Sequence, residues 1–293
     1  MIVDCHTHLW SKPQQLGVGS EALFARQPVT AGAADHQQAS RCVDKTLVLG
    51  FRSRHLQADI PDELILDYVS RHSDRMIGIA AVDPTESGAV QRAERLLTQK
   101  EFRGLTISPA AQNFHPSDSR AQALYELAAD RGVPIFFHQH THFHARSRME
   151  YARPALLDEI ALEYPALTMV LTSLAHPWVD EAMALLGKHQ RIFADVGGLV
   201  RRRWPAYNAL VLADQFNVMD KILFGSDFPF FSAAEAIESI YRLHELTQGT
   251  NLPTVPRETL RSMVERDALS ALGIARPDDV VVSPINNDEE ESV

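Results

Sequence analysis

The sequence predicts an α/β fold, a closed (β/α)8 TIM barrel. Three observations point there. Eight short runs rich in Val, Ile, Leu and Phe recur along the 293 residues. Longer amphipathic runs separate them. The first apolar run ends in His6-Thr-His8, where an open, doubly wound sheet would want a glycine-rich turn. Near-continuous apolar strands alternating with helices argue for a parallel sheet covered on both faces. Eight of them in a chain of this length argue for closure into a barrel.

In chain order, the expected strands are Ile2–Cys5, Lys45–Leu49, Met76–Val82, Gly104–Ile107, Pro134–Phe137, Thr168–Thr172, Arg191–Asp195 and Lys221–Phe224. Pro61-Asp-Glu opens a helix with proline in the first turn and acids at the positive end of the dipole. Thr85-Glu-Ser precedes a helix over Ala89–Leu97, and Ser117-Asp-Ser precedes one over Ala121–Asp130. Pro177-Trp-Val-Asp-Glu leads into Ala182–His189, and Ser232 into Ala233–Glu245. The stretch from Leu9 to Arg41 shows no clear strand, and is expected as a loop or helical insertion over the barrel mouth. Residues 1–274 are expected to form one domain. Residues 275–293 read as an acidic, disordered tail, poor in aromatics.

Composition narrows the function. Hydrophobic residues make up 45% and charged residues 23%, which suits a soluble globular chain. Lys and Arg number 28 against 38 Asp and Glu, a net charge of −10. No basic patch stands out, so nucleic acid is not an expected partner. No apolar run is long enough to span a membrane. The N-terminus lacks a charged segment followed by an apolar one, so no signal peptide is expected. Cys5 and Cys42 lie in apolar, strand-like stretches with no Cys-x-x-Cys. Two buried thiols in a reducing, cytoplasmic setting are expected.

In such a barrel, chemistry sits at the C-terminal ends of the strands. His6 and His8 end the first strand, His138 ends the fifth, and Asp227 follows the eighth. Residues i and i+2 of a strand share a face, so both imidazoles of His6-Thr-His8 aim at one place. Three nitrogens with a carboxylate suit a divalent metal that keeps a position open for water or substrate. The competing readings are satisfied core histidines and, for Asp227, a helix N-cap. Independent core histidines would not all fall at strand ends.

On these residues the chain resembles the amidohydrolase superfamily, in the branch of aminocarboxymuconate-semialdehyde decarboxylase and resorcylate decarboxylase (amidohydrolase-related family 2). The resemblance rests on Asp4-Cys-His-Thr-His, Gly78-Ile-Ala-Ala-Val-Asp-Pro, Pro134-Ile-Phe-Phe-His, His176-Pro-Trp-Val-Asp-Glu-Ala and Leu223-Phe-Gly-Ser-Asp-Phe-Pro-Phe. It implies a TIM barrel of the metal-dependent hydrolase type with one catalytic ion, usually Zn2+, with Mn2+ or Fe2+ as alternatives. It implies His6, His8 and His138 as ligands and Asp227 as ligand or general base. It also implies a small-molecule substrate, and members of such families often form homodimers; with no apolar run of spanning length, no membrane partner is expected.

One departure concerns the sixth strand. The family commonly carries a histidine there, and the ungapped equivalent is Ser173. A serine hydroxyl can bond a water but is far too weak a base to act alone. After His138 the chain continues Gln139-His140-Thr141-His142-Phe143-His144. If extended, this stretch puts His138, His140 and His142 on one face. His140 is therefore a catalytic candidate, with a solvated His-rich loop as the competing reading; for His142 and His144 the loop is preferred. Thr106, where binuclear relatives place a carboxylated lysine, favours a single metal. Arg52, His176 and Ser173 are candidate substrate-binding residues, as are His55 and Arg201 to Arg203, each with an ordinary packing or surface alternative.

The expected function is hydrolysis or non-oxidative decarboxylation of a small carboxylated or carbonyl substrate. The alternative is a degenerate, non-catalytic metal- or ligand-binding barrel.

Overall fold

The computed structural model describes residues 1–20, 24, 29–139 and 145–279. The chain runs β1 (Val3–Thr7), α1 (Ala33–Ala39), β2 (Lys45–Leu49), α2 (Asp62–Arg71), β3 (Met76–Ala81) and α3 (Ala89–Leu97). It continues β4 (Phe102–Ile107), α4 (Pro109–Gln112), α5 (Ser119–Arg131), β5 (Ile135–Phe137), α6 (Asp158–Glu163), β6 (Met169–Leu171) and α7 (Val179–Lys188). The last part is β7 (Ile192–Asp195), α8 (Arg203–Gln215), β8 (Ile222–Leu223), α9 (Ala233–Tyr241), α10 (Arg257–Val264) and α11 (Ala268–Ala271).

The eight strands form one sheet in sequential order, each pair parallel. The ring closes between the ends of β1 and β8. The Cys5 amide donates to the Phe224 carbonyl at 2.9 Å, the Asp227 amide to His6 at 2.8 Å and the His8 amide to Phe228 at 2.9 Å. This is the (β/α)8 TIM barrel expected from the apolar alternation.

Two apolar layers hold it. Inside the ring, Val3, Cys5, Leu47, Leu49, Ile77, Ile79, Phe136, Val170 and Leu223 pack together. The i, i+2 pairs among them are the inward faces of β1, β2 and β3. Ala268, Leu269, Leu272 and Ile274 join this cluster and plug the barrel's N-terminal end. The larger core lies between the strands and the surrounding helices. Burial on both faces explains why the strands read as continuous apolar runs.

Helix starts follow local chemistry. At α9 the Ser232 hydroxyl accepts from the Glu235 amide while Glu235 accepts from the Ser232 amide, a capping box. Asp118 caps α5, which ends at Gly132 in the left-handed region, φ 64°. The sequence did not announce α8 or α10, nor the small hairpin of Arg52–Ser53 with Ala58–Asp59. Cys5 is buried as expected, but Cys42 is exposed, because it sits in the turn before β2 rather than in the strand.

The described residues of the insertion after β1 pack against the loop after β8. Trp10 is buried, and its ring lies 5.7 Å from Phe24 and 6.2 Å from Phe230, the latter in the loop after β8. Of the expected tail, residues 280–293 lie outside the described residues. Residues 275–279 are held at the barrel's lower rim. Asp279 there is ion-paired with Arg103 and with Lys45 and accepts from the Arg276 amide at 2.7 Å. Burial works against its charge, but these partners hold its carboxyl below the ordinary value.

Asp279→Ala would leave Arg103 and Lys45 facing each other with no carboxylate between them. Breaking such a buried pair should lower the unfolding free energy by about 3 kcal/mol, read from denaturant melts, with bound metal per chain unchanged.

Candidate metal centre

The end of β1 carries a register irregularity between Asp4 and Thr7. An extra residue there lets Cys5 face the barrel interior while His6 and His8 also turn inward. Asp4 anchors the irregularity, since its Oδ1 accepts the amides of His6 at 3.2 Å and of Ser226 at 2.9 Å. Burial raises the Asp4 carboxyl to about 6, against the pull of those bonds.

His6, His8 and His138 converge. One nitrogen from each lies within 4.8 Å of the others, and all three rings are buried. His6 Nε2 and His8 Nε2 are 3.2 Å apart. Two nitrogens at about 2.05 Å from a tetrahedral zinc would be about 3.3 Å apart. The other ring nitrogens are already committed. His8 Nδ1 donates to the Leu49 carbonyl at 3.0 Å. His6 Nδ1 donates to Asp195 Oδ1 at 2.9 Å. Both Nε2 lone pairs therefore point at one spot. Asp227 Oδ1 stands 3.6 Å from His6 Nε2. This donor set fits a divalent cation.

Electrostatics carry the same demand. Burial disfavours a charged His6, but Asp195, Asp227 and Asp4 outweigh it and lift its pKa to about 9. Burial, then His6, push His8 down to about 3. Burial, then His8 and His6, push His138 well below the usual imidazole range. Burial pushes Asp227 up to about 7, opposed by His6 and Arg201. In the metal-free protein these shifts favour the proton on His6 over His8 and His138. A cation can replace that proton.

Sequence reading missed Asp195, at the end of β7. Its Oδ1 accepts from His6 Nδ1, from the Ser173 amide at 3.0 Å and from the Gly197 amide at 2.8 Å. It fixes the His6 tautomer and raises its basicity. The signal was present as an acid ending an apolar strand just before Val196-Gly-Gly. Those glycines are steric requirements. A Cβ on Gly197 would meet His6 Nδ1 at 2.6 Å, and one on Gly198, at φ +67°, would meet Asp227 Oδ2 at 2.5 Å. Gln139 was also passed over. It is fully buried beside His138, and neither polar atom of its carboxamide has a hydrogen-bond partner among the described residues.

Ser173 lies in an unusual turn. Ser173, Leu174 and Ala175 are all left-handed, with φ 55°, 49° and 49°. Such residues cost about 1–2 kcal/mol each, and the burial of Leu174 and Ala175 holds them there. The turn presents the Ser173 amide to Asp195. His176 follows, half-buried, its pKa lowered by burial and by Arg202. Arg52 is paired with Glu86 at 2.8 Å and with Asp59. His55 Nε2 bonds the Arg146 carbonyl at 3.1 Å. The Arg201 guanidinium lies over the Phe230 ring at 5.4 Å, and Arg203 pairs with Glu245 at 2.9 Å. Thr106 is buried at the end of β4. His140, His142 and His144 lie outside the described residues.

Two substitutions test this support. Gly197→Ala should displace His6, and Asp195→Asn should weaken its orientation and basicity. Each should reduce zinc affinity about 10- to 100-fold in a chelator competition, and wild-type affinity in both would refute the support role.

The barrel fold is shared with solved structures. An uncharacterized TIM-barrel protein from Bordetella bronchiseptica superimposes with a TM-score of 0.72 at 16% identity, over 93% of this chain and 99% of its own. An amidohydrolase from Burkholderia multivorans with bound zinc gives 0.66 at 14%, over 94% and 100%. A dihydroxybenzoic acid decarboxylase from a Polaromonas species, with bound manganese and the inhibitor 2-nitroresorcinol, gives 0.65 at 13%, over 95% and 98%. No curated protein matches the sequence. The amidohydrolase family model matches residues 3–267, nearly all of the barrel, and the chain therefore belongs to the amidohydrolase family.

Proposed function

We propose that this protein is a metal-dependent enzyme that hydrolyses or non-oxidatively decarboxylates a small carboxylated or carbonyl substrate. The observation that carries this reading is the convergence of the His6 and His8 Nε2 lone pairs beside His138 and Asp227. His6, His8 and His138 hold one divalent ion, with Zn2+ favoured by the nitrogen-rich donor set and Mn2+ or Fe2+ as alternatives. When bound, that ion supplies Lewis acidity and an acidified water.

Asp227 does the proton work. Its Oδ1 stands 3.6 Å from His6 Nε2, beside the place where the ion would sit. A carboxylate there can take a proton from water and return it. In hydrolysis it would accept a proton from the attacking water and pass it to the leaving group. In decarboxylation it would deliver a proton to the carbon that loses CO2. Asp195 holds a hydrogen on His6 Nδ1 and so leaves Nε2, correctly oriented, to bind the ion. Ser173 and His176 are the proposed polar contacts to substrate on the β6 side, with Arg52 at the rim and His140 as a further acid–base group. The Zn2+ and Mn2+ named for the two structural neighbours support a metal at this position.

A non-catalytic barrel is the second reading, favoured by Ser173 in place of a histidine. Turnover in wild type removes it. Activity created only by Ser173→His would establish it.

Three outcomes test the proposal. Plasma mass spectrometry should find about one metal ion per chain, lost in His6→Ala and in His138→Ala. Asp227→Asn should cut turnover about 100- to 10,000-fold while retaining metal on the three imidazoles. CO2 release against incorporation of labelled water separates decarboxylation from hydrolysis.

Metal binding should also depend on pH in a defined way. His6 is protonated below about 9 and Asp227 below about 7 in the metal-free protein. The ion must displace these protons. Calorimetry in buffers of different ionisation enthalpy should find about one proton released per ion between those values and about two below the lower one. Affinity then rises with pH and levels off once His6 is neutral. Uptake with no proton release at neutral pH would contradict the site's electrostatics.

A further inference from the structure

Behind the strand that bears His6 and His8 lies a fourth buried imidazole, His36 of α1. Its Nε2 is 2.8 Å from Thr7 Oγ1, and its Nδ1 is 2.8 Å from the Tyr68 hydroxyl of α2. Thr7 is the residue between the two ligands. Its hydroxyl lies 2.7 Å from the Leu47 carbonyl of β2.

The direction of every proton in this chain is fixed. A carbonyl can only accept, so the Thr7 hydroxyl donates to Leu47. Its oxygen then accepts from His36, whose Nε2 must carry the hydrogen. Burial keeps His36 neutral, with a pKa lowered to about 3. Its Nδ1 is therefore the acceptor for the Tyr68 hydroxyl. Each donor has one acceptor, and the run Tyr68, His36, Thr7, Leu47 has a single arrangement.

The same imidazole reaches the other side of the ligand array. Its ring meets Phe228 edge-on, with centroids 5.0 Å apart at 89°. Phe228 follows Asp227, and its carbonyl accepts the His8 amide at 2.9 Å. His36 thus touches the residue between His6 and His8 and the residue after Asp227.

We propose that His36 is a positioning residue for the metal centre, a strut from the mouth insertion that fixes the end of β1 and the turn after β8. The proposal rests on the metal reading above. No metal-ligand distance is set by His36 directly. It holds the backbone from which His6, His8 and Asp227 project, and outer partners of this kind tune affinity strongly.

The test uses the full chain, with zinc affinity from chelator competition and the visible spectrum of the Co2+-loaded protein. His36→Leu keeps bulk but removes both hydrogen bonds. Thr7→Val removes the same link from the other end. Each should weaken zinc binding about tenfold or more and shift the cobalt bands, with the double variant no worse than either single one. His36→Gln, whose amide can still donate to Thr7, should restore most of the affinity. Unchanged affinity and cobalt spectrum in His36→Leu or Thr7→Val, even with a lower melting temperature, would overturn the proposal and leave His36 as a packing residue. If His36→Leu does not fold, as judged by near-ultraviolet circular dichroism, Thr7→Val decides between the same two outcomes. Wild type that takes up neither Zn2+ nor Co2+ would instead overturn the metal reading itself and this strut with it.

Discussion

The arrangement of the barrel mouth depends on one hydrogen bond, from His6 Nδ1 to Asp195 Oδ1 at 2.9 Å. It determines which His6 nitrogen is left to face the cavity. His8 is set the same way by the Leu49 carbonyl. The two Nε2 atoms then face each other at 3.2 Å with Asp227 alongside, and without a proton or an ion between them both would present lone pairs. Such a cage is costly without a positive charge inside it, either a proton or a metal ion. The high pKa of His6 and the low ones of His8 and His138 are two views of that demand.

Barrel closure makes this constraint possible. His6 and Asp227 are 221 residues apart in sequence, yet the Asp227 amide bonds the His6 carbonyl because β1 and β8 meet. Asp195 comes from the neighbouring β7. The ends of three adjacent strands crowd together there, and only backbone without side chains fits between them. That is why Gly197, Gly198 and Gly225 lie against His6, Asp195 and Asp227. A Cβ on Gly225, for instance, would come within 2.9 Å of His6 Cβ. The same crowding is met from outside by His36, which bears on both β1 and the turn after β8.

Much of this was legible in the sequence. The strands could be read because both faces are buried, so each left a continuous apolar run. His6 and His8 could be read as a pair because the strand period is two, and His138 and Asp227 because each ends such a run. Partners set by tertiary contact were not legible. Asp195 looks like any acid at a strand end until closure brings β7 beside β1. His36 carries no local mark, since its importance lies in reaching Thr7 across the insertion. Gly197 and Gly198 read as a turn, and the clash that requires them appears only in three dimensions. Helix α8 went unseen because its opening arginines and Trp204-Pro205 resemble a loop.

The β6 end shows how a local loss of chemistry can leave the rest of the site standing. A histidine there would add a fourth imidazole to the mouth. Ser173 contributes its backbone instead, as its amide supports the carboxylate that orients His6. The left-handed run through Ala175 is the conformational cost of aiming that amide, and full burial of Leu174 and Ala175 offsets it. The turn therefore serves the metal ligands while giving up acid–base capacity. That capacity then rests, on the proposed reading, with Asp227, whose carboxylate stands 3.6 Å from His6 Nε2. A single carboxylate can serve both proton transfers of a hydrolysis in turn, because the second step restores what the first removed. In decarboxylation the same group must be reprotonated from solvent between turnovers, which calls for a proton path to the mouth. Solvent access to Asp227 is therefore the feature on which decarboxylation would depend, and hydrolysis does not share that requirement.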